Sequence, residues 1–246
     1  MVEAREERLE QLIEDLKKKK LMIEEAAAAL RDANLGVLEV LGNAIAKRDH
    51  DTSDHNYRVT LYTIMIAETI GQPEGEMRSL IKGSFLHDVG KIGISDNILL
   101  KKGKLSKEEF EIMKHHVQHG ADIIAGYPWL SDCVDVVFHH HEKYDGTGYM
   151  LGLKGVDIPV NARIFAVADV FDALTSSRPY KTVFSYEQAM SIMQEGRGSH
   201  FDPEIIDTLC GLGDDIYRKV YFADESSLRA SLKEYVNRFF KNEEMG

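Results

Sequence analysis

Apolar residues recur every three or four positions along most of this chain, which is the spacing of one face of an α-helix. The first such segment covers residues 3 to about 33 and contains neither Pro nor Gly. Within it and just beyond it, apolar residues stand seven positions apart: Leu9, Leu16, Ile23, Leu30 and Val37. The pattern predicts one long N-terminal helix, assigned to residues 1–34. Lys19 and Lys20 interrupt the second apolar row of a coiled coil, so two interpretations stay open: a parallel dimer or signalling helix, and a lone helix packed on its own domain.

Capping and stop signals divide the rest of the chain, residues 35–246, into a succession of shorter helices. Ser106 with Glu109 forms a capping box before an apolar run that is predicted to continue to near Gly126. Other helices are predicted to begin at Ser53 or Asp54, at Pro73, before Val134, at Val160, near Ser185, at Asp202-Pro203 and near Asp224. Alternating strand patterns are nearly absent. The predicted fold class is therefore all-α, with one domain after the N-terminal helix.

Charge and composition narrow the function classes. The chain has 246 residues and a formal net charge of −11, which argues against a surface for a nucleic acid polymer but leaves room for a small phosphorylated substrate. Cys133 and Cys210 form no CxxC motif, so a reducing, cytoplasmic setting is expected. No run approaches the roughly 20 apolar residues of a membrane span. A membrane or sensor domain could still precede this chain in a longer parent protein.

Histidine and aspartate stand at several of the predicted helix ends and inner faces. His87-Asp88 closes an apolar helical run, and Lys91 follows three positions later. Imidazole and carboxylate suit Fe, Mn or Zn, and a nearby lysine suits an anionic substrate. Taken alone, each residue also has a structural interpretation, such as a core histidine at His116. The acid Asp169 beside an apolar stripe decides between them, because a buried carboxylate needs a partner, which a metal-binding cluster supplies.

The segments around these residues resemble, in order, the HD-GYP branch of the HD phosphohydrolase superfamily. They lie between Val37 and Phe201 and read RDHDTSDHNYRV, FLHDVGKIGI, KHHVQHGADII, HHEKYDGTGYMLGLKG, RIFAVADVFDALTSSRPYK and GSHFDP. The resemblance implies an HD-type helical bundle that binds two or three divalent metal ions, iron first and manganese as the alternative. It also implies hydrolysis of cyclic di-GMP, a bacterial second messenger.

The resemblance also implies a ligand set. The residues that match the family's metal ligands are Asp51, His55, His87, Asp88, His116, His140, His141 and Asp169. Asp88 would bridge two ions, and Asp51 occupies the position of a carboxylate that helps hold a third ion in some members. The nearby residues that are not expected to be ligands are Asp49, His115, His119 and His139.

The family's basic residues match Lys91, Arg178 and Lys181, which would bind phosphate groups of the substrate. Without the resemblance, Arg178 and Lys181 could equally belong to a surface turn around Pro179. The predicted mechanism is attack by a metal-bridging hydroxide, with Asp88 and Lys91 as the catalytic residues, giving the linear dinucleotide pGpG, GMP, or both.

One motif departs from the family. The name-giving Gly-Tyr-Pro reads Gly148-Tyr149-Met150 here, so the loop lacks the fixed φ of proline. The family links this loop to contacts with diguanylate-cyclase domains, and that contact is doubtful for this chain. Two other functions stay open: a non-catalytic cyclic di-GMP sensor or scaffold, and an HD-superfamily hydrolase of another nucleotide, cyclic or otherwise.

Overall fold

The computed structural model describes residues 3–49, 53–176 and 183–240, and these ranges contain α-helices and no strand longer than a single bridge. The helices are α1 (Glu3–Arg48), α2 (Ser53–Ile70), α3 (Glu74–Leu86), α4 (Asp96–Leu99), α5 (Lys107–Lys114), α6 (His116–Ile124), α7 (Val134–His139), α8 (Val160–Thr175), α9 (Tyr186–Glu195), α10 (Pro203–Tyr221) and α11 (Glu225–Phe239). Short 3-10 turns cover Val89–Gly93, Pro128–Cys133 and Gly155–Asp157. The all-α prediction is confirmed. None of the helices in these ranges is both long and apolar enough to cross a membrane.

Helix α1 is longer than the sequence pattern predicts. It continues without a break from Glu3 to Arg48, whereas the predicted helix stops at about residue 33. Gly36 does not end it, because one glycine inside a helix costs only about 1 kcal/mol. The chain divides into two compact units inside this helix, Met1–Leu38 and Glu39–Gly246. In the first unit the helix is largely exposed to solvent, including its heptad leucines.

Helix α2 is the centre of the larger unit. Helices α3, α8, α10 and α11 all pack against it. The apolar residues Val59, Tyr62 and Ile66 on one face of α2 are buried, and so are Leu61 and Ile64 on the opposite face. Thr60 and Thr63 are buried too, and they donate their hydroxyl hydrogens to backbone carbonyls of the same helix, which removes the cost of burying them. Neighbours on all sides hold α2, and with it His55 in its first turns, in a fixed position.

The segment predicted as one helix from Ser106 to near Gly126 is two helices. The capping box of Ser106 and Glu109 is present as predicted and starts α5. The helix then breaks at His115, and α6 begins at His116. Helix α6 packs closely on the 3-10 turn Val89–Gly93, and the break lets it turn toward that segment. His116 is thereby brought beside Asp88.

Gly90 permits this close approach of two backbones. A Cβ atom at this position would overlap the His116 carbonyl oxygen and the Gly120 nitrogen. Because backbone atoms cannot move aside as a flexible side chain can, we expect Gly90→Ala to lower the free energy of unfolding by about 3 kcal/mol. Urea unfolding measures the change. Gly126→Ala is the control, since a Cβ at Gly126 meets nothing within 4 Å. Equal unfolding midpoints for the two variants would contradict the proposed contact.

The remaining predicted helix starts agree with the structure. Ser185 caps α9 with Gln188 in a second capping box, and Asp202 and Asp224 accept backbone N–H groups at the starts of α10 and α11. The apolar spacing on α8 predicts a core face of Val160, Ile164, Val167, Phe171 and Leu174, and all of these are buried except Val160, which is partly exposed. Helix α7, however, ends at His139, so His140 and His141 lie in the turn that follows rather than inside the helix.

Candidate metal centre

The predicted ligands in the described ranges come from the ends and inner faces of α2, α3, α6, α7 and α8. His87 is the C-terminal cap of α3, and Asp88 precedes the 3-10 turn that carries Lys91. A helix end directs side chains past the last turn and toward neighbouring elements, which lets sequence-distant residues converge. The histidines of this group are mostly inaccessible to solvent: His55, His87, His116 and His140 are buried, and His141 is partly buried.

The ligand atoms form two clusters. His116, His140 and His141 make up the first, and His55, His87 and Asp169 the second. Within each cluster, the potential ligand atoms lie within 4.8 Å of one another. The clusters also adjoin, since the rings of His87 and His140 are 5.4 Å apart between centroids. Two neighbouring sets of three nitrogen or oxygen ligands could hold two divalent ions.

Asp88 lies between the two clusters and turns one oxygen toward each. Its Oδ2 is 3.1 Å from His87 Nε2, and its Oδ1 is 3.4 Å from His116 Nε2. The same Oδ2 accepts a contact from Lys91 Nζ at 2.6 Å. Lys91 Nζ also lies 2.7 Å from Asp49 Oδ2, so the ammonium is held between two carboxylates at the edge of the clusters.

The hydrogen bonds of the rings fit a metal centre. The Nδ1 atoms of His87, His116 and His140 each face a backbone carbonyl oxygen, 2.8 to 3.1 Å away. Because a carbonyl only accepts, Nδ1 carries a proton in all three rings, and in the neutral rings of His116 and His140 Nε2 therefore presents a lone pair. In the described part of the chain, the buried Nε2 atoms of His116 and His140 have no hydrogen-bond partner. An unpaired buried nitrogen is costly, and a divalent ion is the partner that this tautomer fits.

The electrostatics of the clusters agree with neutral imidazoles in the first one. Burial lowers the pKa of His116 and His140, and it lowers the pKa of His141 to about 3. His87 differs, because the negative charges of Asp88 and Asp169 outweigh its burial and raise its pKa to about 9. Burial would raise the pKa of Asp88, but Lys91 and His87 outweigh it and hold that pKa well below the usual range. The pair His87-Asp88 therefore carries opposite charges until another cation competes for the carboxylate.

Comparison with known proteins shows the family of this domain. The sequence model of the HD domain family matches residues 39–205. This chain belongs to the HD domain family. The match covers the second compact unit up to the start of α10 and includes every predicted ligand.

Two curated relatives and one solved structure are similar to this HD domain. The cyclic di-GMP phosphodiesterase response regulator RpfG of Xanthomonas campestris is 39% identical over 207 residues, 82% of this chain and 55% of the relative. The 3'3'-cGAMP-specific phosphodiesterase 2 of Vibrio cholerae is 39% identical over 182 residues, 73% of this chain and 35% of the relative. The chain thus spans about half the length, or less, of these relatives. The crystal structure of a cyclic GMP-AMP specific phosphodiesterase of Vibrio cholerae has the same fold, with a TM-score of 0.61, 19% identity and coverage of 79% of this chain and 53% of that one.

Some sequence predictions lie outside the two clusters or outside the described residues. Asp51, Arg178 and Lys181 are not among the residues that the structure describes, so their roles stay predictions. The three histidines expected not to be ligands, His115, His119 and His139, belong to neither cluster of the HD domain.

The buried acid of α8 is Asp172 rather than Asp169. The side chain of Asp169 is 22% exposed, whereas that of Asp172 is 1% exposed. Asp172 accepts a hydrogen bond from His55 Nδ1 at 2.7 Å and one from Arg58 Nε at 2.6 Å. This carboxylate orients the His55 ring so that Nε2 faces Asp169. Asp172 and Arg58 were not predicted from the sequence. Each stands three residues after a predicted ligand, Asp169 or His55, and so lies on the same helical face.

The Gly148-Tyr149-Met150 loop also contacts the first ligand cluster. The Tyr149 ring stacks on His141 with centroids 4.7 Å apart. Glu142, which is buried, accepts backbone N–H groups of Leu151, Gly152 and Leu153. The sequence indicates that the loop loses a restraint where proline is replaced by Met150. The Glu142 carboxylate supplies a restraint of another kind, which the sequence alone did not reveal.

Proposed function

We propose that this chain is a metal-dependent phosphodiesterase of the HD-GYP branch that hydrolyses cyclic di-GMP. The observation that carries the proposal is the position of Asp88, which turns one oxygen to each of two adjoining ligand clusters. Such a carboxylate is suited to join two cations about one phosphodiester. The names of the curated relatives, which are cyclic dinucleotide phosphodiesterases, support the choice of substrate class.

The proposed ligands are those named from the sequence. His55, His87 and Asp169 would hold one ion and His116, His140 and His141 another, with Asp88 shared; Asp51 would contribute to a third ion. Iron is the first expectation and manganese the alternative, because imidazole and carboxylate accept both. When bound, such ions would supply Lewis-acid polarisation of the phosphodiester and a water that is nucleophilic at neutral pH.

The other residues of the site would bind and orient the substrate. Lys91 forms ion pairs with Asp49 and Asp88, so its ammonium is held at the edge of the clusters before the substrate binds. A fixed cation there stabilises charge that builds on the non-bridging phosphate oxygens, since no reorganisation is needed during the reaction. Arg178 and Lys181 would hold further phosphate oxygens. The products would be pGpG, GMP, or both.

Turnover of a panel of cyclic dinucleotides tests this function. The purified full chain is loaded with Fe²⁺ or Mn²⁺ and assayed with cyclic di-GMP, beside the double variant His87→Ala, Asp88→Ala. His115→Ala is the matched control, because His115 is an exposed neighbour of the cluster residue His116. We expect turnover in the wild type and the control and none above background in the double variant. Equal turnover in wild type and double variant would refute the proposal.

A second candidate substrate is 3'3'-cGAMP. One curated relative of similar identity is named a 3'3'-cGAMP-specific phosphodiesterase, so the metal centre alone does not favour one cyclic dinucleotide. The same panel separates the two substrates by their kcat/KM values. A non-catalytic sensor would bind the dinucleotides without cleaving them.

The N-terminal helix is proposed as a signalling or dimerisation element. Leu9, Leu16 and Ile23 of its heptad row are 60% or more exposed, and an apolar row of this length is typical of a surface that pairs with a second helix. The homodimer stays a prediction, which the sedimentation mass of the full chain measures. The cytoplasmic location also stays a prediction.

A further inference from the structure

Phe110 is an exposed aromatic residue close to the metal centre. The sequence pattern groups it with Met113 and Val117 on the buried face of one helix, but 44% of the Phe110 surface is accessible to solvent. Phe110 and Met113 lie on α5 and Val117 lies on α6, so the three residues do not form one face of a single helix. Single exposed phenylalanines are common and need no function. The surroundings of this one indicate a function.

Two ring contacts join Phe110 to the ligand clusters. Its ring meets that of Tyr149 edge to face, with centroids 6.0 Å apart and an interplanar angle of 83°. Tyr149 in turn stacks on His141, a member of the first cluster. The Tyr149 ring also meets that of His116, another member of this cluster, edge to face, with centroids 6.5 Å apart. An aromatic wall therefore runs from the clusters to the surface at Phe110.

A cation lies above this wall. Lys114 Nζ is 5.1 Å from the Phe110 centroid and 5.7 Å from the Tyr149 centroid. Its ion pair with Glu111 is 2.7 Å long, but the Glu111 side chain is 64% exposed. An ion pair this exposed contributes little, so a phosphate group could replace the carboxylate at small cost. Lys114 also lies only two residues before His116.

We propose that Phe110 and Lys114 form a second subsite, which holds the half of a cyclic dinucleotide that is not being cleaved. Phe110 stacks with one base, and Lys114 pairs with the phosphodiester that lies away from the clusters. The inference rests on the proposed function, because only a substrate with two phosphates and two bases needs a second holding point. An aromatic face and a nearby cation are the two features that bind a nucleotide without distinguishing which base it carries. The subsite therefore accepts guanine and adenine alike.

The test compares two substrates in the metal-loaded full chain. Cyclic di-GMP fills both subsites, whereas bis(p-nitrophenyl) phosphate has one phosphodiester and no base. We expect Phe110→Ala to raise KM for cyclic di-GMP about 10-fold, with kcat little changed, as loss of one stacked base predicts. The loss of kcat/KM should be much smaller for bis(p-nitrophenyl) phosphate. Phe110→Trp, which keeps an aromatic face, should retain the wild-type KM for cyclic di-GMP.

Lys114→Met and Ile112→Ala complete the set. Lys114→Met should raise KM for cyclic di-GMP several-fold and weaken its dependence on salt, because one phosphate contact is lost. Ile112 is 48% exposed on the same helix and stands about 200° around its axis from Phe110, so Ile112→Ala should leave KM unchanged. Melting temperatures of all variants check that the fold is intact.

Two results would overturn the subsite: the same KM in Phe110→Ala and Ile112→Ala, or equal losses for both substrates in Phe110→Ala. Failure of the proposed function is a separate outcome. If the metal-loaded wild type cleaves no cyclic dinucleotide, intact cyclic di-GMP can be titrated into the same protein by calorimetry. A Kd about 10-fold weaker in Phe110→Ala then supports the subsite, and an unchanged Kd, or no binding to the wild type, refutes it.

Discussion

Asp88→Asn is expected to reduce phosphodiester hydrolysis by on the order of 1000-fold while leaving the fold intact. The amide has the size of the carboxylate but no charge, and it has only one oxygen, whereas the carboxylate turns one oxygen to each cluster. Losing the shared ligand removes several kcal/mol of electrostatic stabilisation from the transition state, and each 1.36 kcal/mol is about 10-fold in rate. Turnover of cyclic di-GMP and the metal content of the same sample measure the effect.

The variant also changes the cation beside the clusters. Lys91 loses one of its two carboxylate partners and keeps Asp49, so its ammonium should stay near its present position. The control His115→Ala should keep full metal content and turnover, because the His115 ring bonds to the carbonyl of Glu111 and belongs to neither cluster. If Asp88→Asn binds as much metal as the wild type and turns over within 10-fold of it, Asp88 is not the shared ligand.

The sequence predicts where helices begin better than where they end. Ser106, Ser185, Asp202 and Asp224 carry their capping signal in their own side chains, and each is found at a helix start. Helix ends depend on what the next segment contacts. The break at His115 is not marked by a glycine or proline in the sequence. It arises because α6 packs against the turn that contains Gly90.

Six of the residues that the resemblance implies as ligands lie in two clusters, but which acid of α8 is buried could not be predicted from the sequence. Asp169 and Asp172 stand in the same apolar run, and only the packing of α8 on α2 decides that Asp172 is the one sealed from solvent. Phe110 is the opposite case, since its periodicity predicts burial but 44% of its surface is exposed. Periodicity describes one helix, whereas exposure depends on the helices around it.

The buried ion pair of Asp172 and Arg58 contributes to the stability of the fold and also orients the His55 ring. The carboxylate binds the guanidinium through both oxygens and also accepts the Nδ1 hydrogen of His55. Burial would raise the pKa of Asp172, but His55 and Arg58 outweigh it and keep the group ionised. The ion pair thus holds the charge that fixes the tautomer of His55, as a carboxylate behind a metal-binding histidine commonly does.

Asp172→Ala is therefore expected to lower the free energy of unfolding by about 3–5 kcal/mol, the cost of leaving one partner of a buried ion pair unpaired. Urea unfolding in the presence of EDTA measures this without a contribution from metal. The double variant Arg58→Met, Asp172→Leu removes both charges and should recover most of that loss, since a buried pair can be replaced by apolar residues at little net cost.

In this double variant, the free energy of unfolding should recover but the metal affinity should not. In the double variant nothing fixes the ring of His55, so we expect metal affinity to stay about 10- to 100-fold below that of the wild type although the fold has recovered. If the double variant regains both the stability and the metal affinity of the wild type, Asp172 contributes only to the stability of the core and His55 needs no orienting partner. A double variant as unstable as Asp172→Ala would mean that the cost lies in packing rather than in the unpaired charge.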